Sequence, residues 1–198
     1  MKKLTRNDLM PLERYAQERN DFRSRVLAHK RDRRVALGAN AALYFEDRLT
    51  IQYQIQEMLR TERIFETQGI EDELGAYNPL IPDGSNWKAT FMLEYGDEKE
   101  RHAALAQLIG IEDKVWMQVE GFARVHAIAD EDMERSNAQK TSAVHFLRFE
   151  LTAEMAAAVK AGKALGAGID HAQYQCSVAP LPEPVRASLS SDIDAHGG

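Results

Sequence analysis

Apolar and polar positions repeat with two different periods in the stretch FEDRLTIQYQIQEMLRTERIFE, Phe45 to Glu66. From Thr50 to Gln56 they alternate, as in a half-buried strand; from Gln56 onward the spacing is that of a charged helix. At about 100° per residue, Ile51, Ile55, Met58, Leu59 and Phe65 fall within one arc of roughly 120°, a core-facing stripe. As a strand the same residues lose phase at Glu57 and Met58. The stretch therefore reads as one helix from Arg48 to Phe65, with Asp47 placed as its N-cap.

The opposite face of this helix carries Leu49, Tyr53 and Ile64, with Gln56, Glu57 and Arg60 among them. A helix apolar on both sides is sandwiched between layers, so its polar residues need partners. Glu57 and Arg60 are i,i+3 neighbours and Gln56 and Arg60 are i,i+4 neighbours, the spacing of a local polar network. The structural reading is a buried network within the helix. The functional reading makes Arg60 an anion clamp for a carboxylate or phosphate, oriented by Glu57 or served by it as general base.

Elsewhere the pattern predicts further elements. The first 35 residues read as helix, either in one piece or in two broken near Asn20 and Asp21. RVALGANAALYFE reads as a hairpin or bent strand around Gly38 and Asn40. ETQGIEDELGAYNPLIPDGSN collects turn formers and reads as a long loop, functional or mobile. WKATFMLEY is a strand, and DEKERHAALAQLIGI an amphipathic helix with Asp97 at its start. DKVWMQVEG and FARVHAIAD form a strand pair around Gly121, and SAVHFLRFELT is another strand. AEMAAAVKAGKALGAGI reads as a helix capped by Thr152 and stopped by Gly166 and Gly168. AQYQCSVAP is the last strand. Short links between strands predict a mostly antiparallel sheet, and the helices before and between them make the class α+β. Residues 1–180 are expected as one domain, with 181–198 a loose C-terminal tail or one helical in part.

Composition narrows the function. At 198 residues with 44% hydrophobic and 28% charged content, the chain is long enough for one good core and is ordinary for a globular protein. No apolar run approaches the roughly 18 residues that cross a bilayer, and the N-terminus turns charged where a signal peptide is apolar. A cytoplasmic location is expected, without membrane contact. A net charge of −6 disfavours nucleic-acid binding, apart from one basic stretch, Arg23 to Arg34. Cys176 is the single cysteine, so no intrachain disulfide, zinc ribbon or iron–sulfur cluster can be built from this chain alone.

Known catalytic spacings are missing. There is no H-E-x-x-H, no P-loop, no G-x-S-x-G and no dinucleotide fingerprint. His126 and His145, on neighbouring strands, could share a metal with Glu120 or Glu150, but packed or surface histidines fit as well, so no metal or other cofactor is assigned. The loop AYNPLIPDGSNWK brings Asn78, Asp83, Ser85 and Asn86 to a segment able to close over a pocket. An ordered loop with its own hydrogen bonds is the structural alternative.

RRVALG, FEDRLTIQYQIQEMLR, AYNPLIPDGSN, IEDKVWMQVEG and SNAQKTSAVHFLRFELT, taken in order, resemble the bacterial domain-of-unknown-function family thirty-five-oh-one over nearly the whole chain. That resemblance implies no activity. Its genes are associated with those of a rubrerythrin-like protein and a cysteine-rich iron–sulfur protein, which implies a role in redox stress as an accessory subunit of such a partner. Two readings follow. The preferred one is a non-catalytic accessory protein, docking through the basic Arg23–Arg34 helix. The alternative is an enzyme or small-molecule binder with a pocket between the 48–65 helix, the 75–86 loop and the sheet. The candidate binding residues are Tyr53, Gln56, Glu57, Arg60, Asn78, Asp83 and His145.

Overall fold

The computed structural model describes residues 2–133, 135–137 and 139–194. Its helices are α1 (Leu12–Arg31), α2 (Arg48–Thr61), α3 (Thr67–Tyr77), α4 (Glu98–Gln107), α5 (Ala153–Lys160) and α6 (Glu183–Ser190). Its strands are β1 (Arg34–Ala36), β2 (Ala41–Glu46), β3 (Asn86–Leu93), β4 (Val115–Val119), β5 (Val125–His126), β6 (Ile128–Ala129), β7 (Val144–Glu150), β8 (Leu165–His171) and β9 (Tyr174–Val178). The class is α+β, and the strands form two antiparallel sheets, ordered β1-β2-β3-β7-β6 and β5-β4-β8-β9. The chain crosses between sheets at Ala127, because β5 pairs with β4 while β6 pairs with β7.

Strand alternation explains the layering. Leu43, Phe45, Trp87, Ala89, Phe91, Leu147 and Phe149 from the first sheet share one core with Val115, Met117, Val119, Leu165, Ala167 and Ile169 from the second. The other face of the first sheet, with Lys88, Thr90, Met92 and Phe146, meets the helical layer.

Helix α2 lies between two apolar clusters. Ile51, Ile55 and Leu59 pack with Leu4, Leu74 and Ile81, while Leu49 and Tyr53 pack against Tyr15, Phe22 and Val26 of α1. Asp47 caps it, its side chain accepting from the backbone N–H of Leu49 and Thr50 at 3.0 and 2.9 Å. The helix stops at Thr61, and Arg63 takes a left-handed conformation with φ 53°. That reversal ends the helical phase, so Phe65 is 62% exposed instead of joining the core stripe.

One open expectation is decided and three are corrected. Helix α1 runs unbroken through Asn20 and Asp21, held by Tyr15, Phe22 and Val26 on its buried face. The 66–86 stretch is not all loop: Ile70, Leu74 and Tyr77 recur at helical spacing, and burying Leu74 against α2 overrides the weak propensity of Gly69 and Gly75. Gly166 and Gly168 do not stop a helix. α5 ends at Lys160, Gly162 turns the chain with φ 87°, and both later glycines lie in β8. A Cβ at Gly168 would collide with the Trp116 indole and the Cys176 carbonyl, so a close crossing requires glycine there.

The last correction concerns the tail. Residues 183–190 form α6 rather than loose chain, and Leu181, Val185, Leu189 and Ile193 are buried in the inter-sheet core. The Trp87 indole N–H donates to the Leu189 carbonyl at 2.9 Å, and buried Arg33 pairs with buried Asp192 at 2.5 Å. Residues 195–198 of the expected tail lie outside the described residues.

Candidate functional site

The helical layer does not seal against the outer face of the first sheet. A cavity of about 570 Å³ lies between Met58 of α2, Tyr77 of α3, Pro79 and Leu80 of the following 3-10 turn, and Lys88, Phe146 and Arg148 of the sheet. A second cavity of about 500 Å³ shares Tyr77, Leu80 and Phe146 with it and continues over Ile51, Gln54, Thr90 and Met92. Both volumes lie within the range of small-molecule sites. The lining arises from strand alternation: the residues that point away from Trp87, Phe91 and Phe149 are half-buried and include Met92 and Phe146.

Its charges are unequally matched. Arg148 donates to both carboxylate oxygens of Glu131, at 2.8 and 2.9 Å, and also to Glu150. Asp132 receives Arg135, whose guanidinium lies 4.6 Å over the Phe146 ring. Both carboxyls are lowered, chiefly by those arginine hydrogen bonds. Lys88 is different. Its Nζ donates to the Pro79 carbonyl at 2.5 Å, and no carboxylate among the described residues stands at ion-pair distance. Burial lowers its pKa, with Lys3 and Arg148 adding to the effect against Asp83 and Glu131. Lys3 itself donates to the Asn78 carbonyl at 2.6 Å, on the same turn. Glu73, also on the wall, has its carboxyl raised by burial and by Glu62 and Asp72.

The sequence candidates are placed as follows. Gln56 is fully buried and holds Met10, accepting from its N–H at 2.5 Å and donating to its carbonyl at 3.3 Å. Glu57 pairs across to α1 and not with Arg60: it accepts from Arg19 at 2.8 and 2.7 Å and from the Tyr15 hydroxyl at 2.5 Å. Those bonds, Arg19 first, lower the carboxyl against the effect of burial. Tyr53 stacks near Phe22, with ring centres 6.0 Å apart, and Arg60 is exposed. These four residues do not line the cavity, because they occupy the α1 side and rim of α2. Asn78 ties the N-terminal segment by paired bonds with Leu4 at 2.8 and 2.9 Å, and Asp83 closes a turn by accepting from Ser85.

His145 is fully buried in a separate polar cluster. Its Nδ1 is 2.6 Å from Asp130, and its Nε2 is 2.9 Å from the Thr141 hydroxyl and 3.1 Å from the Ser142 carbonyl. Glu112 accepts from Thr141 and Ser136, and Asp130 also receives Arg135, beside a cavity of about 250 Å³. His126 is exposed on the other sheet, so the two strand histidines are not brought together. Among the described residues no group of three or more His, Cys, Asp and Glu is arranged to hold a metal.

Lys88, Tyr77, Leu80, Phe146 and Arg148 were not singled out from sequence. The available signal was Met92 and Phe146 on the nominally solvent face of their strands, which betrays a covering layer.

Residues 3–193 match the model of the family described as protein of unknown function (DUF3501). The chain belongs to that family. The fold is similar to the crystal structure, at 1.90 Å resolution, of a novel protein of unknown function from Burkholderia pseudomallei K96243. That chain is 53% identical, with a TM-score of 0.93, covering 98% of this chain and 100% of its own. Comparison with curated proteins gives no match. No helix among the described residues is long and apolar enough to cross a membrane.

Proposed function

We propose that this protein binds a small organic anion with an apolar body in the cavity between α2–α3 and the first sheet. One observation carries the reading: Lys88 is a partly desolvated ammonium at the wall of a cavity in which Arg148 is neutralised by Glu131, and Lys88 has no carboxylate at ion-pair distance among the described residues. Desolvating a cation without an opposite charge is unfavourable, and an anionic ligand supplies that charge. Tyr77, Leu80, Met58 and Phe146 offer apolar contact to the rest of the molecule. Titration calorimetry with 3-phenylpropionate tests it. Saturable binding is expected, weakened about 10- to 100-fold in Lys88→Met, the range of a charge-assisted hydrogen bond. Heats indistinguishable from dilution, or equal binding by the variant, overturn it.

A second reading is the accessory subunit of a rubrerythrin-like or iron–sulfur redox partner. It is supported by α1, which exposes Arg23, Arg25 and Arg31 around a 43% exposed Leu27. Such a face suits an acidic partner. Co-purification with those two protein types should then weaken with salt, and its absence at low salt defeats the reading.

A further inference from the structure

We propose that Lys88 forms an imine with a carbonyl ligand in this cavity, and that the ligand class is a 2-oxo acid with an apolar side chain. The inference rests on the binding reading above and adds to it a covalent step. A lysine amine is a nucleophile only when unprotonated, and two arrangements favour that form: removal from water and the presence of other cations. Lys88 has both. Arg148 stands directly opposite it across the β3–β7 ladder, and Lys3 donates to the Asn78 carbonyl beside the Pro79 carbonyl that Lys88 itself uses. Of the carboxylates whose charge opposes this, Asp83 is engaged by Ser85 and Glu131 is held by two bonds from Arg148, and neither stands within ion-pair distance of Lys88. The lowered pKa of Lys88, caused first by burial, agrees with this geometry.

The step balances without a further reactant. The amine lone pair forms the C–N bond, the carbonyl C–O bond breaks, and the oxygen leaves as water with both hydrogens of the amine. Glu73, a wall carboxyl whose pKa burial raises, is suited to lend and recover the proton that assists water departure. A 2-oxo acid is favoured over a simple aldehyde because its carboxylate lies next to the reacting carbon. Once the imine takes up a proton, its positive charge stands where that of the ammonium did, so the ligand carboxylate again faces an opposite charge. The apolar body then occupies the space between Tyr77, Leu80 and Phe146.

The test is reductive trapping on the full chain. Protein incubated with phenylpyruvate and cyanoborohydride is examined by intact mass and peptide mapping. A single adduct at Lys88, formed at least about tenfold faster than at a typical surface lysine, is expected, because the cavity holds the carbonyl beside an amine whose pKa burial lowers. Lys88→Arg, which retains a donor toward Pro79, should lose the adduct while melting cooperatively. If the wild-type protein binds 3-phenylpropionate but phenylpyruvate is not trapped, or is trapped in proportion to lysine exposure, the imine is overturned and the binding reading stands. If neither compound binds, both fail. An adduct at Lys88 that persists when excess 3-phenylpropionate is added also overturns the placement in this cavity.

Discussion

Lys88 and Arg148 face each other across adjacent antiparallel strands, yet among the described residues only Arg148 is neutralised by carboxylates. Like charges directly opposite on a sheet are unfavourable unless each is compensated. Glu131 and Glu150 compensate one of them, and the other is left facing a cavity.

Arg148→Ala therefore should weaken anion binding through Glu131. It frees Glu131 to pair with Lys88, so a ligand carboxylate must compete with an internal one. A three- to tenfold rise in the Kd for 3-phenylpropionate is expected, on the order of 1 kcal/mol. An unchanged Kd would show that Glu131 does not reach Lys88.

Glu57 and Arg60 should separate cleanly. Glu57→Gln removes the charge that Arg19 and Tyr15 share and should cost about 1.5–3 kcal/mol in urea unfolding at pH 7. Its carboxyl is lowered in the folded protein, so this stabilisation is present above the unfolded carboxyl pKa and is lost as pH falls through the folded value. The variant should accordingly show a flatter acid limb. Arg60→Ala, at an exposed position, should change stability by less than about 0.5 kcal/mol.

The C-terminal helix should be indispensable. Leu189→Ala should cost about 2–5 kcal/mol because it opens space in the inter-sheet core. Arg33→Met leaves buried Asp192 without its ion partner and should cost about 3–5 kcal/mol. Deleting residues 181–198 removes both features and should abolish cooperative thermal unfolding; a truncated chain melting like the full one would show that the docking is superficial.

Gly168→Ala should lower stability by about 1–3 kcal/mol, since the new methyl meets the Trp116 indole and the Cys176 carbonyl at once. Gly110→Val, where no atom lies within 4 Å of the added Cβ, tests the other cause of glycine preference, the backbone with φ 80°. Thermal melts of the two variants distinguish crowding from conformational strain.

Local patterns determined much of this protein. The stripe Ile51-Ile55-Leu59 and the Asp47 cap specify α2 without help from other elements, because helical phase and capping act within a few residues. Apolar residues on both sides of α2 correctly implied a sandwiched helix. The alternation of β3 and β7 was equally legible. The partners of the polar residues were not. Glu57 could pair with Arg60 by spacing, but α1 brings Arg19 and Tyr15 closer, and a pair that also excludes water prevails over an exposed i,i+3 contact. Leu181, Val185, Leu189 and Ile193 repeat every four residues, yet their helix is short and needs the inter-sheet core as support. The cavity was decided by tertiary structure alone. It exists because the α2–α3 layer stops short of the sheet, and whether a strand face meets water, helix or empty space depends on the distance between elements far apart in the chain.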